Sequence, residues 1–192
     1  MNDPLTRRIF LGGVLALPFL YVWPGNGAAA PTLTCSNEEP TLPETEGPYF
    51  KPRSPERGSL LQPGLRGRRL ILTGSVITTA CWPVARALLD FWQADVNGHY
   101  DNLGFRLRGH QYTDARGIYR LETIVPGLYP GRTRHIHVKV QAPGKSVLTS
   151  QLFFPGEPAN ADDDLFRRRL LISVIEQDAD RLHARFPFVV PA

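Results

Sequence analysis

Between residues 69 and 154 apolar and polar residues alternate in short runs, and the runs are separated by glycine, proline, asparagine and aspartate. Successive side chains of a strand point to opposite faces, so such a run buries one face and leaves the other open. The pattern predicts strands over 69–78, 87–94, 117–123, 135–141 and 147–154. Short strands at this spacing suggest a β-sandwich. Residues 162–184 read differently: Leu165, Phe166, Leu170, Leu171, Val174 and Ile175, with Leu182 further on, fit a helix or helical turns. Residues 186–190 then close as a last strand. Upstream, residues 30–69 are rich in proline, glycine and charge and read as an extended arm, with Pro48-Tyr49-Phe50 as the part that docks. The expected fold is mainly β: a β-sandwich of antiparallel strands with an extended amino-terminal arm and a short carboxy-terminal helical segment.

Composition supports one folded domain. The chain has 192 residues, 42% hydrophobic and 21% charged, enough for one real core. Seventeen glycines and 18 prolines favour turns and strands over long helices. The amino terminus stands apart. Arg7-Arg8-Ile9-Phe10-Leu11, the apolar run from Val14 to Val22 and the small residues Gly27 to Ala30 have the three regions of an export signal, of twin-arginine type. Pro18 and Pro24 break the apolar run, so no stable membrane span is expected. The domain division is 1–29 for the signal and 30–192 for the folded part, with periplasmic or extracellular localisation and the twin-arginine machinery as a partner. Losing Asp3, Arg7 and Arg8 changes the formal charge of +4 by one, and the arginines are scattered without interleaved aromatics, which argues against nucleic acid as a partner. Cys35 and Cys81 are the only cysteines; in an oxidising compartment they can form one disulfide, and no Cys-x-x-Cys exists to hold zinc.

The candidate chemistry lies in Tyr129-Pro-Gly-Arg-Thr-Arg-His-Ile-His137. On a strand His135 and His137 project together while Ile136 faces the other way. Such a pair also fits surface histidines joined by hydrogen bonds. A nearby phenol adds a hard anionic donor, a set that suits ferric iron. Tyr100, just after an Asn97-Gly98 turn signal, offers a second phenol.

The stretches Thr45-Glu-Gly-Pro-Tyr-Phe50, Pro83-Val-Ala-Arg-Ala-Leu-Leu-Asp-Phe-Trp-Gln-Ala-Asp95, Thr113-Asp-Ala-Arg-Gly-Ile-Tyr119 and Pro126-Gly-Leu-Tyr-Pro-Gly-Arg-Thr-Arg-His-Ile-His137 resemble the intradiol ring-cleavage dioxygenases, over about residues 41–160 and in family order. The resemblance implies that Tyr100, Tyr129, His135 and His137 hold a non-haem Fe(III), with Tyr129 as the ligand that a substrate displaces. It implies an aromatic diol and dioxygen as substrates and a cis,cis-muconate-type product. By the same resemblance Arg132 lies beside the bound ring as a fixed positive charge, Gln151 stands near the reacting carbon and Tyr49 lines the pocket mouth. His99, His110 and His183 have no matching role and read as surface or structural residues.

Leu128 replaces a bulkier aromatic of many relatives, and the spacing from Tyr129 to His135 is shorter than in protocatechuate dioxygenase, which leaves the particular catechol open. The chain resembles the stand-alone exported members, and a homo-oligomer remains open. Two other readings compete. Gly74-x-Val76, Asp114-x-x-Gly117-x-Tyr119 and Pro126-Gly127-x-Tyr129 also recur in transthyretin-like sandwiches, so an exported, non-catalytic binding module is the alternative. A zinc or copper hydrolase built on His135 and His137 is weaker, because no acidic third ligand lies in the matching segments.

Overall fold

A computed structural model describes residues 38–191. Nine strands form two sheets: β1 (Arg69–Thr78), β2 (Leu88–Trp92), β3 (Arg108–Tyr112), β4 (Ile118–Ile124), β5 (His135–Gln141), β6 (Leu148–Phe153), β7 (Ser173–Gln177), β8 (Arg181–Arg185) and β9 (Phe188–Val190). One sheet runs β4-β1-β8-β7 with β9 also paired to β1; the other runs β3-β2-β5-β6. Leu70, Leu72 and Val76 of β1 and Tyr119 and Leu121 of β4 face Leu89 and Phe91 of β2 and Ile136, Val138 and Val140 of β5 in one apolar core. The strand alternation read from the sequence is therefore the alternation between core and surface. Among the described residues no helix is long and apolar enough to cross a membrane.

Three features depart from the expectation. First, the sheet built on β1 is mixed rather than antiparallel, because β8 and β9 both run parallel to β1. They are one extended segment that follows β1 along its length and pivots at Phe186, whose backbone N–H donates to Thr73 O. Gly74 makes room for that crossing: a Cβ there would collide with the backbone carbonyl of Phe186. Second, helical structure near the carboxy terminus is confined to two 3₁₀ turns, Pro158–Ala161 and Arg168–Leu170. The rest of the expected helical stretch is the β7–β8 hairpin. Val174 and Ile175 are β-branched and poor helix formers, and Asp178 Oδ1 accepts the N–H groups of Asp180 and Arg181 to close a turn. Third, β3 was not foreseen, since Arg108, His110 and Tyr112 supply no apolar face of their own.

The arm lies across the outer face of the β3-β2-β5-β6 sheet. Glu44 N donates to Thr149 O, Arg57 N to His110 O, and Ser150 Oγ to Leu42 O. Phe50 packs on Trp92 with ring centroids 4.9 Å apart, so the Pro48-Tyr49-Phe50 stretch docks as expected. Cys81 is in a disulfide. Cys35 and the proposed export signal lie outside the described residues.

The buried Tyr119 hydroxyl donates to Phe186 O at 2.9 Å and ties the pivot to β4. Tyr119→Phe removes that donor and should cost about 1–3 kcal/mol, read as a lower urea midpoint at unchanged slope.

Candidate metal centre on the outer sheet face

Register places the site. Trp92 pairs with Arg108 on one side and with His137 on the other, and His137 pairs with Gln151. Arg108, Trp92, His137 and Gln151 thus form one row across four strands on the face opposite the core. His135 stands one strand repeat away on the same face, opposite Phe153. The His137 imidazole stacks on the Trp92 indole with centroids 4.8 Å apart and planes at 6°. The indole fixes the ring's tilt.

Two loops bring the phenols over this row. In the first, Asp95 Oδ1 accepts the N–H groups of Asn97 and His99, closing the turn that presents Tyr100. In the second, residues 126–132 present Tyr129. The loops cross in contact: Gly127 N donates to Asp95 O at 2.7 Å. A Cβ at Gly98 would collide with Leu128 O, and one at Gly127 with Val96 O. Only glycine permits this approach, and at Gly98 the positive φ of 81° requires it as well.

The functional atoms converge. His135 Nε2 lies 3.1 Å from His137 Nε2 and 3.2 Å from Tyr100 Oη. His135 Nδ1 stands 2.6 Å from Thr133 O, an acceptor only, so the proton sits on Nδ1 and Nε2 offers a lone pair. Tyr49 stacks on Tyr100 at 4.5 Å, and its hydroxyl is 2.9 Å from that of Tyr129. Burial, with smaller contributions from Arg132, drives His135 down to about 4 despite its bond to Thr133. Burial, then the His135, Arg132 and Arg108 charges, hold His137 well below its ordinary value. Both imidazoles are neutral donors at pH 7. Burial raises the Tyr100 phenol, against the pull of the Arg132 and Arg108 cations. A bound cation would reverse that balance.

Arg132 is held from two sides. Its Nε donates to both oxygens of Asp163, at 3.1 and 3.0 Å, and its Nη2 to Gln151 Oε1 at 2.6 Å. Gln151 Nε2 in turn donates to Thr45 O of the arm. Asp163 also accepts the N–H groups of Thr133 and Leu165. Burial alone would raise Asp163; those backbone bonds and Arg132 outweigh it and hold the carboxyl below its usual range.

Each site residue expected from the sequence sits here. Tyr100, His135 and His137 are brought together; Tyr129 and Tyr49 form the adjoining pair; Arg132 and Gln151 are joined to each other. Gln151 holds Arg132 and the arm with both ends of its amide, a role sequence reasoning did not give it. Arg108 and Asp163 were missed. Arg108 is 2% exposed, donating to Asp101 O and to Tyr49 O. Its only sequence signal is the alternation Arg108-x-His110-x-Tyr112. His110 lies beside Ser54, His99 is exposed near Asp95 and His183 is near Glu176, all outside the cluster.

The donor set fits a metal. Three donor atoms cluster around His135 Nε2, two of them neutral imidazole nitrogens, and the buried His137 Nδ1 has no hydrogen-bond partner to fix another role for the ring. Among the described residues no group of three His, Cys, Asp or Glu side chains forms a metal site, and the further donor beside the two imidazoles is the Tyr100 phenol. Hard anionic oxygen beside imidazole suits ferric iron. A cavity of about 420 Å³ lined by Arg68, Phe154 and Leu182 contains none of these donors. Two others do reach them. One of about 360 Å³ is lined by Leu128 to Thr133 with Ala159, Asp162 and Asp163; the other, of about 320 Å³, by Tyr49, Asn97 to Tyr100, Asn102 and Leu128 to Pro130.

A β-sandwich with two phenols and two imidazoles grouped on one outer sheet face defines a candidate mononuclear metalloenzyme. Residues 45–189 match the family described as Dioxygenase. The protocatechuate 3,4-dioxygenase beta chain of Burkholderia cepacia is 34% identical over 138 residues, 62% of this chain and 57% of that one. Catechol 1,2-dioxygenase of Acinetobacter baylyi is 29% identical over 170 residues, 72% of this chain and 55% of that one. Among solved structures, the dioxygenase domain of a dioxygenase carbohydrate-binding protein fusion from the cellulolytic bacterium Streptomyces sp. SirexAA-E superposes with a TM-score of 0.78 at 54% identity, over 80% of this chain and 99% of that one. The chain belongs to the intradiol ring-cleavage dioxygenase family. It spans about half the length of several of the characterised relatives it matches.

The neutral histidines carry a pH dependence. His135 falls from an ordinary 6.5 to about 4 in the fold, so the unfolded chain binds more protons between those values. The stability held by the neutral ring is complete above pH 6.5 and is lost as pH falls toward 4. Metal-free protein should show a falling Tm across that window in calorimetry, and His135→Gln should flatten the fall.

Proposed function

We propose that this protein is a non-haem Fe(III)-dependent dioxygenase that cleaves a catechol-type aromatic between its two hydroxylated carbons. Both atoms of dioxygen enter a cis,cis-muconate-type product, so the reaction balances with no other oxidant. The observation that carries this reading is the convergence of His135 Nε2, His137 Nε2 and Tyr100 Oη beside Tyr129. Tyr100, Tyr129, His135 and His137 would hold the iron. When bound, ferric iron would supply the Lewis acidity that favours the deprotonated diol and makes its ring reactive toward dioxygen.

The chain's own residues do the rest. Tyr129 Oη, paired with Tyr49 Oη at 2.9 Å, can take a proton from a substrate hydroxyl. Arg132 cannot swing, because Asp163 and Gln151 hold it, so its charge meets negative charge that develops on the ring without reorganising. Tyr49 and Gly47 of the arm lie over Tyr100 and His137 and keep water from that side. The non-catalytic sandwich reading is not favoured, since a binding module needs neither the paired imidazoles nor the locked arginine. The export signal over residues 1–29 belongs to the same proposal, and it is supported by Arg7-Arg8 before the apolar run. Exchange of both arginines for lysine, followed by cell fractionation, checks it: the protein should stay in the cytoplasm.

A visible absorption spectrum tests the centre. Purified protein with ferric iron should be coloured by phenolate-to-iron charge transfer, and catechol added without oxygen should move the band to longer wavelength. Tyr100→Phe and His137→Ala should each lose iron retention and turnover together; full activity in either would defeat the assignment.

A further inference from the structure

Resting on that reading, we infer that the site selects dihydroxy-aromatics whose ring bears no anionic substituent, and that Asp162 and Asp163 set this selection. A carboxylated ring must leave water at the site, and an anion that leaves water needs a cation or several donors in return. Neither cleft beside Tyr129 offers a free cation among the described residues. In the larger one, a single arginine faces two aspartates. Arg132 is already paired: Asp163, with a side chain only 2% exposed, binds its Nε through both oxygens, and Gln151 takes its Nη2, so its charge is offset by a carboxylate before a second anion arrives and it cannot turn to follow a ring substituent. Asp162 is exposed on the wall of the same cleft and adds a negative charge that no basic side chain offsets there.

The smaller cleft leads to the same conclusion. Its walls are Tyr49, Asn97, Gly98, Tyr100, Asn102, Leu128, Tyr129 and Pro130, none of them a cation. His99 is its single basic side chain, and it faces Asp95 with Nδ1 3.9 Å from Oδ1. The other cations near the site line neither cleft. Arg108 is buried, bound to the carbonyls of Asp101 and Tyr49, and Lys51 donates to the carbonyls of Leu103 and Gly104. Leu128, half exposed where the two clefts meet, presents an apolar surface to the incoming ring. Whichever cleft holds the far edge of the substrate, that edge meets no cation that lacks an acidic partner. Like charges placed together discriminate by repulsion, which is how a site rejects a ligand of otherwise suitable shape.

The test compares catechol with 3,4-dihydroxybenzoate on the iron-loaded full chain, through kcat/KM and through anaerobic dissociation constants from spectral titration. The expected preference for catechol is about tenfold or more in both readouts. Asp162→Lys, on an exposed side chain, should raise the benzoate-to-catechol ratio severalfold. Asp163→Asn frees the Arg132 charge and should move the ratio the same way even if total activity drops, an effect that simple loss of fold would not produce. Equal or better use of the benzoate by the wild type, or ratios unmoved in both variants, would overturn the inference. Iron-loaded wild type that turns over neither ring would overturn the dioxygenase reading itself, and this inference with it.

Discussion

Everything chemical in this molecule depends on the register of β5 between β2 and β6. Because His137 pairs with Trp92 and with Gln151, its imidazole stands on an indole face with the arginine-holding amide on its other side. A slip of one residue would turn both histidines into the core and Ile136 out to the arm. Ile136, Val138 and Val140 prevent this, since burying them in the sandwich is what the opposite face of the strand does. The apolar half of the strand holds its polar half in place.

A second level of order comes from close packing of backbone. The loops that carry Tyr100 and Tyr129 touch through Gly98 and Gly127, and a shared hydrogen bond to Asp95 O ties them. The two loops that carry the phenols are therefore tied to each other beside the histidine row. Asp163 works similarly on the far side. It binds Arg132 and the Thr133 amide together, while Thr133 O orients His135, so the guanidinium and a candidate metal ligand share one support. Supporting groups of this kind set the direction in which the site residues point.

The strands rich in alternating apolar residues were legible, β1 and β5 to the residue, because their burial depends on the local pattern alone. The β7–β8 hairpin was not. Its outer strand is exposed throughout, and its Val174 and Ile175, with Leu170 and Leu171 just before it, imitate a helical period that the Asp178 turn overrides. The four candidate ligands were legible from short spacing and family order. Arg108 and Asp163 were not, since one lies on a strand with no apolar signature and the other reaches its partner across 31 positions of chain. Such pairings exist only once the sheets are built.

The arm opens the described chain, yet its hydrogen-bond partners are on strands from much later in the sequence: Thr149 and Ser150 on β6, and Val189 on β9. It has nowhere to lie until those strands have paired. Order along the chain and order of assembly therefore run in opposite directions. Before the arm settles, the histidine row is open along a whole face, and an ion as small as iron could reach it from above; afterwards Tyr49 and Gly47 lie across that approach. Closure of the candidate metal centre therefore belongs to the end of assembly, not to its beginning.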